Sequence, residues 1–392
     1  MQSMPELQVR IPAVFMRGGT SNALVFHRDD LPSDRAEWDG VFLAAIGSPD
    51  PYGRQLNGMG GGISSLSKVV VIGPSTRDDA DIDYTFGQVV VDQPLVDYSA
   101  NCGNMSAAVG PFAVDEGLVS TDGRTAQVRI HNTNTGKIIV SEFAVENGRA
   151  AVTGDYELLG VAGSGAPIRL SFDDPGGATT GRLLPSGEVR NILDIAGIGS
   201  IEASLIDATN ACVFVAADSL GLKGAEMPEA LEADKNMVEA LEAIRCAAAV
   251  VMGLTASPEE AKARSPSNPK VALVSPAQPA ATLTGNMIKA DAMDLTVRMV
   301  SMGRPHRSVP LTGAMCLAIA AGIDGTIVNQ VRKHSQLSDL RIGHPSGVIE
   351  LSAHVRHDDG WHADRVVVYR TARRLMEGSV LIPALINTEN GG

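Results

Sequence analysis

Aromatic side chains are scarce in this sequence: Phe, Tyr and Trp make up 4% of its 392 residues. Base-stacking platforms are therefore not a feature of it, and any core must be aliphatic. Cationic residues are also in deficit, and the net charge is −13. That balance argues against nucleic acids and anionic membrane surfaces as partners. It leaves room for a small anionic ligand, whose binding is a local matter. There are only four cysteines, Cys102, Cys212, Cys246 and Cys316. They lack paired spacing, which points away from both a zinc site and a disulfide framework. No apolar run is long enough to span a bilayer. The opening residues lack the apolar core of a signal peptide. The expectation is a reduced, soluble, cytoplasmic protein.

What the sequence does have is 44% hydrophobic residues over a length comfortable for two domains. The most informative stretch is Asn101-Cys102-Gly103-Asn104-Met105-Ser106-Ala107-Ala108-Val109-Gly110. A polar run ends there, and small and apolar residues follow to Val114. This reads as a helix start, capped at Asn101 or Cys102 and closed by Gly117. The N–H groups and partial positive charge of such a start welcome a carboxylate and push a thiol toward thiolate. A buried, inert cysteine is the plain alternative.

Upstream, two short apolar runs flank Met16-Arg17-Gly18-Gly19-Thr20-Ser21. They read as strands around a Gly-rich turn. Either the turn is a simple connection, or its backbone and the Thr20 and Ser21 hydroxyls face a ligand. Arg35 to Ile46 has helical spacing. Next comes Gly58-Met59-Gly60-Gly61-Gly62-Ile63-Ser64-Ser65-Leu66-Ser67-Lys68. Its spacing fits neither a Walker loop nor a dinucleotide fingerprint. Lys68 opens a buried strand, where a lysine either turns out to solvent, the commoner case, or points into a polar pocket. The small residues before it, with Gly60, Gly61, Ser64, Ser65 and Ser67 among them, leave room for a ligand beside its ammonium. The aspartates of Asp78 to Asp83 read as a solvated turn.

An internal repeat divides the chain. Ser21 to Asp30 can be laid on Thr209 to Asp218 with five identities at an offset of 188 residues. A looser echo lays Asn101 to Met105 on Leu311 to Met315, at an offset of 210. The difference suggests an insertion, for which the helical stretch Glu229 to Met252 is long enough. Two duplicated domains follow, 1–190 and 191–392. Their boundary falls in the loop-rich span Pro185 to Gly199, and the last strand is free to cross back. Thr312 and Gly313 then open a second central helix. Ahead of it lies Ser301-Met302-Gly303-Arg304-Pro305-His306-Arg307, which adds cationic groups. Arg341-Ile342-Gly343-His344-Pro345-Ser346-Gly347 precedes another strand. His354, His357 and His362 surround an Asp-Asp-Gly turn and read as a hairpin rather than a metal site. Arg370 to Gly378 reads as the end of a strand followed by a turn.

Taken together, the Met16–Ser21, Gly58–Gly61, Ser67-Lys68, Asn101–Asn104, Ser301–Gly303, Gly343–Gly347 and Arg370–Arg373 motifs resemble the PrpF family. That family includes 2-methylaconitate cis–trans isomerase, 3-methylitaconate isomerase and 4-oxalomesaconate tautomerase. The motifs run in order along nearly the whole chain. The resemblance implies an α+β architecture of two diaminopimelate-epimerase-like domains, each a curled, mostly antiparallel sheet around a central helix, with the active site between them. It implies a cofactor-free, metal-free isomerase of unsaturated di- or tricarboxylates, with Lys68 and Cys102 as its catalytic residues. The candidate ligand contacts are Arg17, Gly19, Thr20, Ser21, Gly60, Gly61, Ser64, Ser65, Ser67, Asn101, Gly103, Asn104, Met302, Gly303, Arg304, His306, Thr312, Gly313, His344 and Ser346. No nucleic-acid or membrane partner is implied, and a homodimer is compatible. Two departures stand out. Asn22 occupies a place where many relatives have a basic residue. Thr312 stands where epimerases of the fold carry a second cysteine, with Cys316 one turn further on. The leading reading is allylic proton transfer of the 2-methylaconitate type. The alternatives are 4-oxalomesaconate tautomerisation and a non-catalytic partner of an aconitase-like dehydratase.

Overall fold

The computed structural model describes residues 7–99, 101–195, 197–333 and 339–384. The chain opens with the strand Gln8–Gly18, which turns through Gly19 into Ser21–His27. A crossover carrying the helix Trp38–Ile46 brings Lys68–Pro74 parallel to Ser21–His27. Lys68–Pro74 then pairs antiparallel with Ile82–Val89. The sheet continues through Thr125–Asn132, Lys137–Glu146 and Ile168–Asp173. It curls around the helix Gly103–Asp115, in which every residue from Gly103 to Val114 is buried. A helix covered on all sides needs no amphipathic stripe, which is why small and apolar residues run all round it, with polar Asn104 and Ser106 in its first turn.

Strand alternation does the sorting. Val70 and Ile72 face the central helix, in one core with Met105 and Phe112. Val69 and Val71 face outward, onto Phe42 and Ile46 of the covering helix.

The second half repeats the plan. Gly199–Ala208 and Asn210–Ala216 form a hairpin, and Asn210–Ala216 runs parallel to Lys270–Pro276. Leu295–Ser301, Leu340–His344 and Gly347–His357 extend this sheet. Its central helix is Leu311–Gly322, buried from Leu311 to Ala321. Ala272 and Val274 face that helix, while Val271 and Leu273 face Leu241 and Ile244 of the covering helix Lys235–Val251. The last strands return to the first half. Trp361–Arg370 pairs with Ile168–Asp173, and Ala372–Pro383 pairs along the whole first strand. None of the described helices is long and apolar enough to cross a membrane.

Three local expectations change. The loop-rich span expected at the boundary contains the strand Asn191–Ile195, paired with Gly199–Ala203. Pro185 and Gly187 mask its short alternation of Leu193 and Ile195. The segment after Arg370 is a strand of 12 residues rather than a turn, because its partner lies at the other end of the chain. The helical stretch Glu229 to Met252 lies where only part of the expected insertion falls, since the offset is 188 at the first echo, 202 at Lys68 and Lys270, and 210 at the second echo. It supplies the crossover between parallel strands that Trp38–Ile46 supplies in the first half. The three histidines lie on the hairpin of Gly347–His357 and Trp361–Arg370, where His362 pairs with Asp359.

Phe112 has no exposed surface and fills the gap between the first central helix and its sheet. Phe112→Ala should cost about 3–5 kcal/mol in urea unfolding. Tyr52→Ala, at a residue 86% exposed, should change stability by no more than ~0.5 kcal/mol.

Candidate active site

Lys68 is the first residue of its strand, and alternation with Val70 and Ile72 turns it toward the first central helix. It is buried. Its Nζ donates to Gln88 Oε1 at 2.5 Å and lies 4.9 Å from the centre of the Phe86 ring. Gln88 is held in place by its own amide, which donates to the Ser67 and Ser64 carbonyls at 2.9 and 3.1 Å. The Cys102 thiol is within hydrogen-bonding reach of the lysine. Burial lowers the Lys68 pKa from its ordinary value, and Cys102 only partly opposes this. Cys102 is the residue preceding the helix Gly103–Asp115, and its side chain makes no capping bond. Its carbonyl accepts from Ser106 N at 2.9 Å and from the Tyr84 hydroxyl at 3.3 Å. The backbone is thus fixed while the thiol stays available.

The second half supplies a counterpart that the sequence analysis missed. Lys270-Val271-Ala272-Leu273-Val274-Ser275-Pro276 matches Lys68-Val69-Val70-Val71-Ile72-Gly73-Pro74 in position and in burial along its length. Aligning the two parallel-paired strands would have revealed it. Lys270 Nζ donates to the Ser267 carbonyl at 3.1 Å and to Ser301 Oγ at 3.5 Å. Its stem runs 3.9 Å from the position a side chain on Gly313 would occupy, at the start of the second helix. Burial lowers its pKa; Cys212, Asp97 and Cys102 oppose that, and the charge of Lys68 adds to it. His306 Nε2 is buried without a hydrogen-bond partner. Burial, then Lys270 and Lys68, push the His306 pKa down to about 3. Lys68, Cys102, Lys270 and His306 therefore form one electrostatic cluster drawn from both halves.

The two helix starts meet at Gly103. A Cβ there would come within 3.2–3.3 Å of Met315, Thr312 and Leu311. The Gly-rich turn lies against the same helix start. A Cβ on Gly18 would fall 2.7 Å from the Asn104 carbonyl, and Gly19 has a φ of 53° beside the Asn104 side chain. Only glycine satisfies both demands. Asn104 Nδ2 donates to Thr20 Oγ1 at 3.1 Å, and in the second half Thr209 Oγ1 donates to the Thr312 carbonyl at 2.9 Å. Ser21 is buried at the start of its strand. A polar seam crosses between the halves. Ser267 Oγ donates to Asp97 Oδ2 in a short bond, and Asn268 Nδ2 donates to the Ser99 carbonyl at 2.9 Å.

Several candidates are committed elsewhere. Arg17 donates to the Gly19 and Thr371 carbonyls at 2.9 and 3.0 Å, tying the turn to the returning strand. Gly60 packs on Gln55 and the Ile46 carbonyl, and Ser67 Oγ donates to Gln55 Oε1 at 2.7 Å. Gly61 packs on Leu66. These small residues build a knot around Gln55, and of Ser64, Ser65 and Leu66 in the following turn only the Ser64 carbonyl reaches the site, through Gln88. Asn101 Oδ1 accepts from Asn132 at 3.3 Å. Met302 and Gly303, with φ of 54° and 70°, are the two-residue turn of a hairpin. The loop expected to be cationic is not so at His306, which stays neutral near pH 7 because it is desolvated beside two lysines. Arg304 is exposed, and Arg307 pairs with Glu229 at 3.1 Å. His344 Nδ1 accepts from Ser346 N at 3.2 Å, and Ser346 Oγ donates to the Arg307 carbonyl at 2.6 Å. Cys316 is packed inside the core, where burial and Cys212 raise its thiol pKa.

Known proteins resemble this chain along nearly its whole length. The family described as "PrpF protein" matches residues 8–383. The 3-methylitaconate isomerase of Eubacterium barkeri is 43% identical over 377 residues, covering 96% of this chain and 98% of that protein. The 2-methyl-aconitate isomerase of Cupriavidus necator is 40% identical, covering 96% and 98%. The 4-oxalomesaconate tautomerase of Pseudomonas putida is 37% identical, covering 96% and 97%. Among solved structures, a methylitaconate-delta-isomerase superposes with a TM-score of 0.78 at 41% identity, covering 96% of this chain and 97% of that one. A hydroxyproline epimerase from Agrobacterium vitis, at 13% identity and a TM-score of 0.55, covers 95% of this chain and 93% of that one; it shares the fold.

Burial, Arg298 and Arg370 hold the His344 pKa down at about 3. An unfolded chain takes up that proton below about pH 6.5 while the folded chain refuses it. The stability tied to neutral His344 is therefore complete above about pH 6.5 and is lost as pH falls toward 3. Between pH 7.5 and 4.5 the folded protein should lose about 2–3 kcal/mol through this residue. In urea titrations at the two pH values, His344→Gln should show a correspondingly smaller loss than wild type.

Proposed function

We propose, from the premise that this chain belongs to the PrpF protein family, that it is an isomerase moving a proton across an allylic unsaturated di- or tricarboxylate, of the 2-methylaconitate or 3-methylitaconate type. The observation that carries the reading is the buried Lys68 amine beside the Cys102 thiol, at the mouth of a helix N-terminus. A carbon acid next to a conjugated carboxylate needs a base and a holder for the dienolate formed when the proton leaves. Lys68 is the base: desolvation favours its free amine, and Gln88 and the Phe86 ring fix its direction. The N–H groups of the two helix starts, meeting at Gly103, bind carboxylate and stabilise the dienolate charge. Cys102 stands beside the base, as a proton carrier or as a contact to the ligand. Thr20 and Asn104 line the same helix start.

On this reading the chain consists of two epimerase-like domains, 1–190 and 191–392, with the last strands crossing back. The strand pairings of Ala372–Pro383 with Gln8–Gly18 support the crossing. We further read the enzyme as cofactor-independent and cytoplasmic, since an amine and a thiol suffice for proton transfer. The tautomerase activity is the second choice, because the isomerases are the more similar relatives.

The test is a panel of 2-methyl-trans-aconitate, 3-methylitaconate and 4-oxalomesaconate, followed by proton NMR in deuterated water. Turnover of one of the first two is expected, and turnover of the third alone would transfer the assignment to the tautomerase. Lys68→Met should reduce isomerisation at least ~100-fold with an unchanged circular-dichroism spectrum and melting temperature. Near-wild-type turnover by that folded variant would remove Lys68 as the base.

Amino-acid racemisation should be absent. The second helix start brings Thr312 against Gly103, next to Cys102; its hydroxyl is a poor acid and base near neutral pH, and Cys316 is shut inside the core. Proline and diaminopimelate incubated in deuterated water should keep their α-protons; α-deuteration at catalytic rates would overturn this.

A further inference from the structure

Lys270 lies outside the roles assigned so far. Buried lysines normally escape to solvent or meet a carboxylate. Lys270 does neither, since its Nζ is directed at a backbone carbonyl and a hydroxyl. Lys68 likewise rests on a neutral amide. A purely structural position would be filled at lower cost by an apolar side chain. Both lysines open the equivalent strand of their own half, and both face the start of that half's central helix. The helix starts meet at Gly103. An acid seated there would have a lysine of each half within reach, Lys68 beside Cys102 at the first helix start and Lys270 beside Gly313 at the second. The unpartnered Nε2 of His306 lies in the same cluster.

We infer that Lys270 is the second proton-transfer group of the site, serving one end of the allylic acid while Lys68 serves the other. This rests on the isomerase reading above. Two ammonium groups buried together disfavour each other, which favours one free amine and one ammonium. In the forward direction Lys68, as the free amine, removes the proton from the carbon beside the carboxylate. The C–H electron pair spreads into the unsaturated carboxylate as a dienolate. The far carbon of the dienolate then forms its C–H bond with a proton from the Lys270 ammonium, and the double bond is left one position over. Lys68 ends as ammonium and Lys270 as free amine. One proton exchanged with solvent at each restores the pair, without oxidant or reductant.

The experiment uses 3-methylitaconate in deuterated water with wild type, Lys270→Met and Lys270→Arg, all checked for native circular dichroism and melting temperature. In this substrate the methine proton leaves and the methylene terminus becomes a methyl group. Both variants should still exchange the methine proton, within ~10-fold of the wild-type rate, because Lys68 is intact. Both should form the dimethyl isomer at least ~100-fold more slowly. Lys270→Arg is informative because a guanidinium keeps the positive charge yet cannot give up its proton at neutral pH. If exchange and isomerisation fall together in both variants, Lys270 binds ligand and transfers no proton. Unchanged isomerisation in either folded variant would remove it from the chemistry. Wild-type protein that isomerises no member of the panel would overturn the parent reading and this one together. Wild-type turnover with parallel losses in the variants overturns the role of Lys270 alone.

Discussion

Two lysine side chains buried at the meeting of two half-sheets are the constraint on which the rest of this structure turns. Removing one ammonium from water is costly, and removing two into the same space is more so. The fold accepts the cost by giving each Nζ a fixed neutral acceptor: Gln88 for Lys68, and the Ser267 carbonyl for Lys270. It then keeps His306 neutral beside them. What results is a local cluster of buried basic groups in a chain whose net charge is −13. The overall charge and the charge of the site are independent quantities, and only the second bears on a polycarboxylate.

Such a site needs rigid walls, and duplication provides them. Each half wraps a curled sheet around a fully buried helix and covers the outer face with further helices. Glycine at positions 18, 19 and 103 lets the turn and the two helix starts approach within contact distance. The Asp97–Ser267 and Asn268–Ser99 bonds then hold the halves across the cleft. The returning strand Ala372–Pro383 ties the end of the chain to its beginning. Positioning of this kind keeps reacting groups within proton-transfer reach, which supplies much of the rate in general acid–base chemistry.

The shared fold also separates what is general from what is specific. A hydroxyproline epimerase has the same architecture at 13% identity, so the architecture alone does not choose the reaction. Thr312 rather than a second cysteine packs against Gly103, next to Cys102, and lysines stand at both strand openings.

The sequence by itself determined the local elements and half of the site. The Asn101–Asn104 stretch declares a helix start because a cap, a glycine and a run of small residues act within one turn. Lys68 declares itself by opening a buried strand, and the motif order along the chain carried the family resemblance. The tertiary structure alone decided which residues meet. Gly60, Gly61 and Ser67 have the small size of a ligand loop, yet Gln55 claims the space at Gly60 and Ser67 and Leu66 that at Gly61. His306 has the sequence of a cation, yet desolvation beside two lysines leaves it neutral. Asn191–Ile195 and Ala372–Pro383 became strands through their partners, one across a short Gly-rich turn and the other at the far end of the chain. Lys270 is the clearest case. Its own neighbours mark only a buried strand, and its place beside Lys68 arises from folding two distant halves together. Secondary structure follows nearest neighbours, whereas electrostatic coupling and burial follow distance in space.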